Sequence, residues 1–125
     1  MTDRQLVIVA ALTLLVGVGA GAFGAHGLKR VLSPELLSVW QTAVLYQVIH
    51  GLGMLAIAAL GTRFGSPLLG NAGGVMFAGI VIFSGSLYAL ALTGAKWLGA
   101  VTPIGGLAFI AAWAMVALAA YRTGQ

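Results

Sequence analysis

Four apolar runs, each about as long as a bilayer is thick, constrain this sequence more than any other feature. They cover residues 6–23, 39–60, 68–92 and 98–121. About 20 residues of α-helix cross the roughly 30 Å of a bilayer's hydrocarbon core. None of the runs shows the alternating pattern of a half-buried strand. The sequence therefore predicts an all-α polytopic membrane protein, a bundle of four transmembrane helices.

The composition leaves too few charged side chains to cover a water-soluble surface. The 125 residues are 61% hydrophobic and 6% charged, whereas soluble domains have about 25% charged residues. The six basic residues lie singly or as one pair near the ends of apolar runs, which is typical of contacts with lipid headgroups rather than with nucleic acid. We therefore expect membrane lipids as partners and no nucleic acid.

Three hydroxyl–proline pairs predict where helices begin. They are Ser33-Pro34, Ser66-Pro67 and Thr102-Pro103. A hydroxyl side chain caps a helix N-terminus well, and proline in the first helical position lacks only an N–H that would be unpaired there. The third pair lies about a turn inside the fourth run, so that helix is expected to begin later than its hydropathy suggests. We predict one domain, residues 1–125, with approximate spans 6–25, 34–60, 67–93 and 98–121.

Small residues form stripes on two of the predicted helices. Gly17, Gly21 and Gly24 recur on the first helix, and a Gly70–Gly74–Ala78 stripe lies on the third. Such stripes let helix backbones approach closely in lipid. Two interpretations stay open at this point: packing inside one bundle, or contact between copies in a homo-oligomer.

Polar side chains inside the spans are costly in lipid and therefore point to a role. Counting helical rise from the span ends places His50, Ser84 and Trp113 at similar depths, about 15 Å below one membrane surface. Gln47 and Tyr46 share a helix face with His50. We hypothesise that helices two, three and four converge on a polar pocket in this half of the membrane. Its candidate residues are Tyr46, Gln47, His50, Ser84, Ser86, Tyr88 and Trp113.

A structural role for these side chains is the alternative. Serine in membrane helices commonly bonds a backbone carbonyl or a neighbouring helix, and a buried histidine can be satisfied by one partner. The other half of the membrane has almost only apolar residues and is expected to be closed. Trp40, Trp97 and Tyr121 lie near span ends and predict an aromatic belt.

The titratable residues do not form a catalytic or metal-binding set. The two carboxylates, Asp3 and Glu35, lie near span ends on opposite sides of the bilayer, so they cannot act as a pair. His26 lies near the membrane surface and His50 about 15 Å deeper, which is too far apart for one haem within a protomer. Two histidines without cysteine make a poor zinc site. We therefore predict no enzyme, no cofactor and no metal.

Several motifs resemble one known family along the whole chain. They are GAFGAHGL at 21–28, WQT at 40–42, YQVIH at 46–50, FSGSLY at 83–88 and TPIGG at 102–106. This set resembles the family called domain of unknown function 423, whose eukaryotic relatives are the transmembrane protein 256 group. The family has no assigned activity, so the resemblance implies no catalytic residue. His26 lies in the first motif, at the membrane interface.

The resemblance also implies a location. It implies a multi-pass protein of the bacterial inner (plasma) membrane with both termini in the cytoplasm. The basic residues do not orient the chain by themselves, because three lie on each side of the membrane.

Two kinds of function follow from these features. The favoured one is a non-catalytic module that packs in the membrane, binds lipid or serves as an accessory of a larger membrane complex. The alternative is a small oligomeric carrier or channel that moves a proton or small polar solute past His50. We favour the first because the apolar half of the bundle offers no continuous polar path.

Overall fold

The computed structural model describes residues 1–123, and this part of the chain is almost entirely helical. Its long helices are α1 (Asp3–His26), α2 (Pro34–Phe64), α3 (Pro67–Thr93) and α4 (Thr102–Thr123). Short 3-10 helices, Leu28–Arg30 and Lys96–Ala100, lie in the connections before α2 and α4. Each long helix is long and apolar enough to cross a membrane. The predicted four-helix membrane fold is confirmed.

All three hydroxyl–proline pairs lie at helix starts, but only the first two form the expected cap, because the Thr102 hydroxyl donates to the Leu98 carbonyl instead. Ser33 and Ser66 cap α2 and α3, and each side-chain oxygen accepts a hydrogen bond from a backbone N–H of the first turn. The fourth helix begins at Thr102, about a turn after the start of its apolar run. At the other ends of α2 and α3, Gly65 and Gly94 adopt left-handed backbone angles, which glycine tolerates and most residues do not.

The four helices are arranged around a central pair. The α2 and α3 helices pack along each other, α1 packs mainly against α2, and α4 packs mainly against α3. Within residues 1–123, α1 and α4 do not contact each other. The outer helices consequently have more lipid-facing surface than the central pair.

The glycine stripe of α1 packs inside the protomer, against α2. A methyl group added at Gly17 would lie 3.1 Å from Val48, and one added at Gly24 would lie 2.6 Å from the Trp40 ring. Packing inside one bundle, rather than contact between copies, therefore accounts for this stripe.

Trp40 is consequently not part of an aromatic belt, and the prediction made from its position near a span end is wrong. Its ring is buried, and its indole N–H donates to the Ala20 carbonyl at 2.9 Å. Trp97 and Tyr121 are exposed, as residues at a membrane surface would be.

Glycines that the stripes did not predict allow α3 and α4 to approach. A methyl group at Gly105 would overlap the backbone of Phe83, and one at Gly79 would lie 2.7 Å from the Phe109 ring. Both glycines are buried. Their small size brings the aromatic rings of α3 and α4 close to α2.

The half of the bundle nearer the termini has an apolar core. Fully buried side chains from all four helices meet there, among them Leu6, Met54, Leu69, Met76 and Ala119. This half is filled by hydrocarbon side chains. The buried glutamine, histidine and serine side chains lie in the other half.

Candidate functional site

Gln47 connects three helices in the polar half of the bundle. Its side-chain N–H donates to the Thr13 carbonyl of α1 at 2.9 Å, and its side-chain oxygen accepts from the Tyr88 hydroxyl of α3. Gln47 itself lies on α2 and is buried. The Gln47 amide group thereby hydrogen-bonds both neighbouring helices, α1 and α3.

Ser84 and the ring of Tyr88 are also held in place beside Gln47. The Ser84 hydroxyl donates to the Ala43 carbonyl of α2 at 2.8 Å. The ring of Tyr88 lies edge to face with the Trp40 ring, with 4.6 Å between centroids. In the described part of the chain, no buried side-chain nitrogen or oxygen is left without a hydrogen-bond partner.

A groove of about 460 Å³ opens above these residues, between α1 and α3. The two helices touch where Leu6 packs against Gly73, and the groove lies on the side of that contact nearer His26. Its floor consists of Thr13, Gln47, Ser84 and Tyr88, which we call the polar floor. Its walls are Val9, Leu12 and Val16 of α1 and Phe77, Ile80, Val81 and Gly85 of α3.

The dimensions of this α1–α3 groove suit an elongated apolar ligand. From Phe77 to Tyr88 the groove follows about 16 Å of α3. Nearly all of its surface is hydrocarbon, and the Gln47, Ser84 and Tyr88 side chains of its floor already bond one another or the backbone. Gly85 lies at its edge, where an added methyl group would meet nothing within 4 Å.

His50 lies in a second group of residues, between α2 and α4. Its ring stacks on the Phe109 ring with 3.6 Å between centroids, and it lies 5.9 Å from both the Tyr46 and Trp113 rings. Its Nδ1 lies 2.9 Å from the Tyr46 carbonyl, which can only accept a hydrogen bond. In the neutral ring Nδ1 therefore holds the proton, and Nε2 is an acceptor.

The remaining predicted residues lie nearer the membrane surface. The Ser86 hydroxyl lies 2.6 Å from the Thr102 hydroxyl and joins α3 to the first turn of α4. His26 is the last residue of α1 and is exposed. Among residues 1–123, no group of three or more histidine, aspartate or glutamate side chains could hold a metal ion.

The single pocket that the sequence predicted is divided in two. Gln47, Ser84 and Tyr88 line the α1–α3 groove, whereas His50 and Trp113 lie on the side of α4. Two residues three positions apart are about 60° apart around a helix, so Gln47 and His50 point to different neighbours. Ser84 also bonds the carbonyl of residue 43, and this places it about 10 Å from the level of His50 rather than beside it.

Several residues of these two sites were not predicted from the sequence, because their role depends on the neighbouring helix. Thr13 contributes its backbone carbonyl, and the apolar walls of the groove look like any other lipid-facing residues in the sequence. Phe109 could have been found, because it lies one turn before Trp113 on the same face of α4.

Comparisons with known proteins agree on one family. A family model described as "Protein of unknown function (DUF423)" matches residues 20–106. UPF0382 membrane protein SH2409 of Staphylococcus haemolyticus is 50% identical over 120 residues, covering 95% of this chain and 97% of that protein. UPF0382 membrane protein YwdK of Bacillus subtilis is 47% identical, covering 95% of this chain and 98% of that protein. No solved structure matches the chain.

Proposed function

The chain belongs to the DUF423 family of membrane proteins, and from this premise we propose that it is a non-catalytic membrane module that holds one acyl chain of a membrane lipid in its α1–α3 groove. The bound acyl chain would fill the space between α1 and the central α2–α3 pair. Its role is structural: it completes the packing of the polar half of the bundle.

The observation that carries this proposal is the combination of apolar walls with a polar floor whose Gln47, Ser84 and Tyr88 side chains are already hydrogen-bonded within the protein. Gln47 is bonded to Thr13 and Tyr88, and Ser84 is bonded to Ala43. A polar ligand would have to displace these bonds, whereas an acyl chain leaves them in place. An acyl chain also gains dispersion contacts with the walls, and such contacts drive packing in lipid, where the hydrophobic effect does not.

The absence of catalysis is part of the same proposal. Acid–base chemistry needs a positioned proton donor or acceptor within reach of the substrate. The polar floor has hydroxyl and amide groups, and neither carboxylate of the sequence lines the groove. Its geometry supports binding rather than reaction.

A carrier or channel is disfavoured by the apolar core on the side of the termini. A proton or polar solute that reached His50 would next meet side chains such as Met54, Met76 and Ala112. In proteoliposomes with an imposed pH gradient, we therefore expect the gradient to decay as slowly as in empty vesicles. Decay that depends on the protein and is lost in His50→Phe would support the carrier instead.

We place the protein in the bacterial plasma membrane with both termini in the cytoplasm. The relatives are bacterial membrane proteins, and outer membranes hold β-barrels rather than apolar helices. A fluorescent protein fused to either end should fluoresce, and alkaline phosphatase at the same positions should be inactive. The opposite pair of results would reverse the orientation without affecting the groove.

The lipid-binding proposal can be tested by filling the groove. Leucine at Gly85 would extend from the edge of the groove into its space, and the open surroundings of Gly85 make the substitution tolerable. Gly19 provides the matched control, because it is equally open but does not line the groove. Both substitutions also remove a helical glycine and add the same side chain.

The readout is the amount of phospholipid that stays bound to protein purified in mild detergent, measured by native mass spectrometry. We expect a lipid-bound species for the unchanged protein and for Gly19→Leu, and its loss for Gly85→Leu. Equal lipid retention by the two variants, or no retained lipid in any of the three proteins, would contradict the proposal.

A further inference from the structure

Three hydrogen-bonding atoms on one side of the bundle have no partner within residues 1–123. They belong to Tyr46 and His50 of α2 and Trp113 of α4, a set that we call the α2–α4 face. In residues 1–123, no hydrogen bond is made by the Tyr46 hydroxyl, the Trp113 indole N–H or Nε2 of His50. His50 is 6% exposed, and since no unpaired side-chain atom is fully buried there, its Nε2 reaches the surface.

Lipid tails cannot satisfy these atoms. The Tyr46 and Trp113 side chains are 36% and 42% exposed, and their rings lie within 6 Å of the His50 ring, at mid-membrane depth. Polar groups at such depth generally face another polypeptide or a water-filled cavity. The polar floor illustrates the contrast, because its Gln47, Ser84 and Tyr88 side chains are all hydrogen-bonded within the protomer.

We propose that the α2–α4 face is the contact between two copies of this chain, in which the Tyr46 hydroxyl of one copy donates a hydrogen bond to Nε2 of His50 in the other. The face contains both donors and an acceptor, so it is complementary to itself. A twofold axis requires this property, because the same patch must serve both partners. A twofold axis along the membrane normal also keeps matching residues of the two copies at the same depth.

Of the two small-residue stripes that the sequence offered for an oligomer, the one on α1 does not compete for this role. Its glycines pack against α2 within the protomer. On the α2–α4 face, by contrast, the apolar residues flanking the three polar atoms are exposed: Ile49 is 45% exposed and Ile110 is 67% exposed. They provide the lipid-excluding contacts around the hydrogen bonds.

Cysteine cross-linking tests the location of the contact, and the chain has no cysteine of its own to interfere. Ile49→Cys and Ile110→Cys place single thiols beside the α2–α4 face. Val18→Cys places one on the exposed side of α1 as the matched control. In bilayers, a thiol-reactive cross-linker should give dimers from one or both isoleucine variants and only monomer from Val18→Cys.

The hydrogen bonds are tested by removing one hydroxyl. Tyr46→Phe removes an unpaired donor, and Tyr121→Phe removes an exposed hydroxyl at the end of α4 as the control. Each interhelical bond in lipid typically changes an association constant roughly 2.8-fold, so losing the symmetric pair should weaken the dimer roughly eightfold. Energy transfer between labelled copies, measured over a range of protein-to-lipid ratios, reports this constant.

Two results would overturn the proposal. One is a protein that remains monomeric at every protein-to-lipid ratio or that cross-links equally well through Val18→Cys. The other is a Tyr46→Phe variant that dimerises as tightly as the unchanged protein and Tyr121→Phe. Neither result bears on the α1–α3 groove, because the groove lies on the other side of α2.

Discussion

The Gln47 side chain alone hydrogen-bonds its own helix, α2, to two of the other three helices. Its amide reaches the backbone of α1 and the tyrosine of α3 at once. A backbone carbonyl inside a helix already accepts its own helical bond, so the contact with Thr13 uses a second lone pair. Gln47 therefore ties helices together in a region where there is no water to compete.

Replacing Gln47 with leucine should destabilise the protein by about 1 kcal/mol, since two bonds of roughly 0.6 kcal/mol each are lost. The free energy of unfolding can be measured by titrating the protein in mixed micelles with a denaturing detergent. Gln41→Leu is the control, because Gln41 lies on the same helix but is exposed. An equal effect from both substitutions would show that the interhelical bonds of Gln47 contribute nothing.

Helix pairs in this protein are brought together by glycine facing a large side chain. Gly24 accommodates Trp40 between α1 and α2, and Gly105 accommodates the Phe83 backbone between α3 and α4. The close approach of α4 in turn brings Phe109 onto the His50 ring. The spacing of the helices thus depends on a few positions where even a methyl group would not fit.

Gly105→Ala should destabilise the contact between α3 and α4 by about 1–3 kcal/mol, the usual effect of overpacking. The added methyl group would meet backbone atoms of Phe83, which cannot move aside as a side chain can. Gly106→Ala is the matched control, since its methyl group would lie 3.9 Å from the Phe83 ring, an ordinary contact. Thermal unfolding should separate the two variants, and equal midpoints would contradict this packing.

At the scale of the whole molecule, the central α2–α3 pair divides the surface into two sides with different properties. On the side of α1 the polar groups bond one another beneath an apolar groove. On the side of α4, within residues 1–123, the Tyr46 hydroxyl, the Trp113 indole N–H and Nε2 of His50 have no hydrogen-bond partner. The first side accordingly suits a lipid chain, and the second suits a protein partner.

Four spans place both termini on the same side of the membrane, opposite the two short 3-10 helices. Because the native sequence lacks cysteine, single substitutions can report this arrangement. A membrane-impermeant maleimide added to intact cells should label Lys29→Cys and Lys96→Cys alike, and Thr2→Cys only after the cells are opened. A difference in labelling between Lys29→Cys and Lys96→Cys would contradict the two spans, α2 and α3, that separate them.

The helix positions could be predicted from the sequence because their signals are local. Ser33-Pro34 and Ser66-Pro67 begin α2 and α3. The position of Thr102-Pro103 predicts that α4 begins later than its apolar run, and α4 does begin at Thr102. A hydroxyl cap and a proline act within one turn of backbone. They need no knowledge of the neighbouring helices.

The grouping of the polar residues could not be predicted in the same way. When most faces of a helix are apolar, hydropathy does not reveal which way the helix is rotated about its axis. Gln47 and His50 were therefore assigned to one pocket, although the intervening 60° turns them toward different helices. Trp40 was assigned to the membrane surface because nothing in the sequence pairs it with the gap left by Gly24.

The central claim, that an acyl chain lies in the α1–α3 groove, is tested most directly by photolabelling. A phospholipid with a diazirine in the middle of its acyl chain would be incorporated into bilayers with the protein, and the labelled residues mapped by mass spectrometry. We predict labelling concentrated on the groove walls, at Leu12, Val16 and Val81. Labelling spread evenly over these residues and over Leu15 and Val18, which are exposed on α1 outside the groove, would contradict the account.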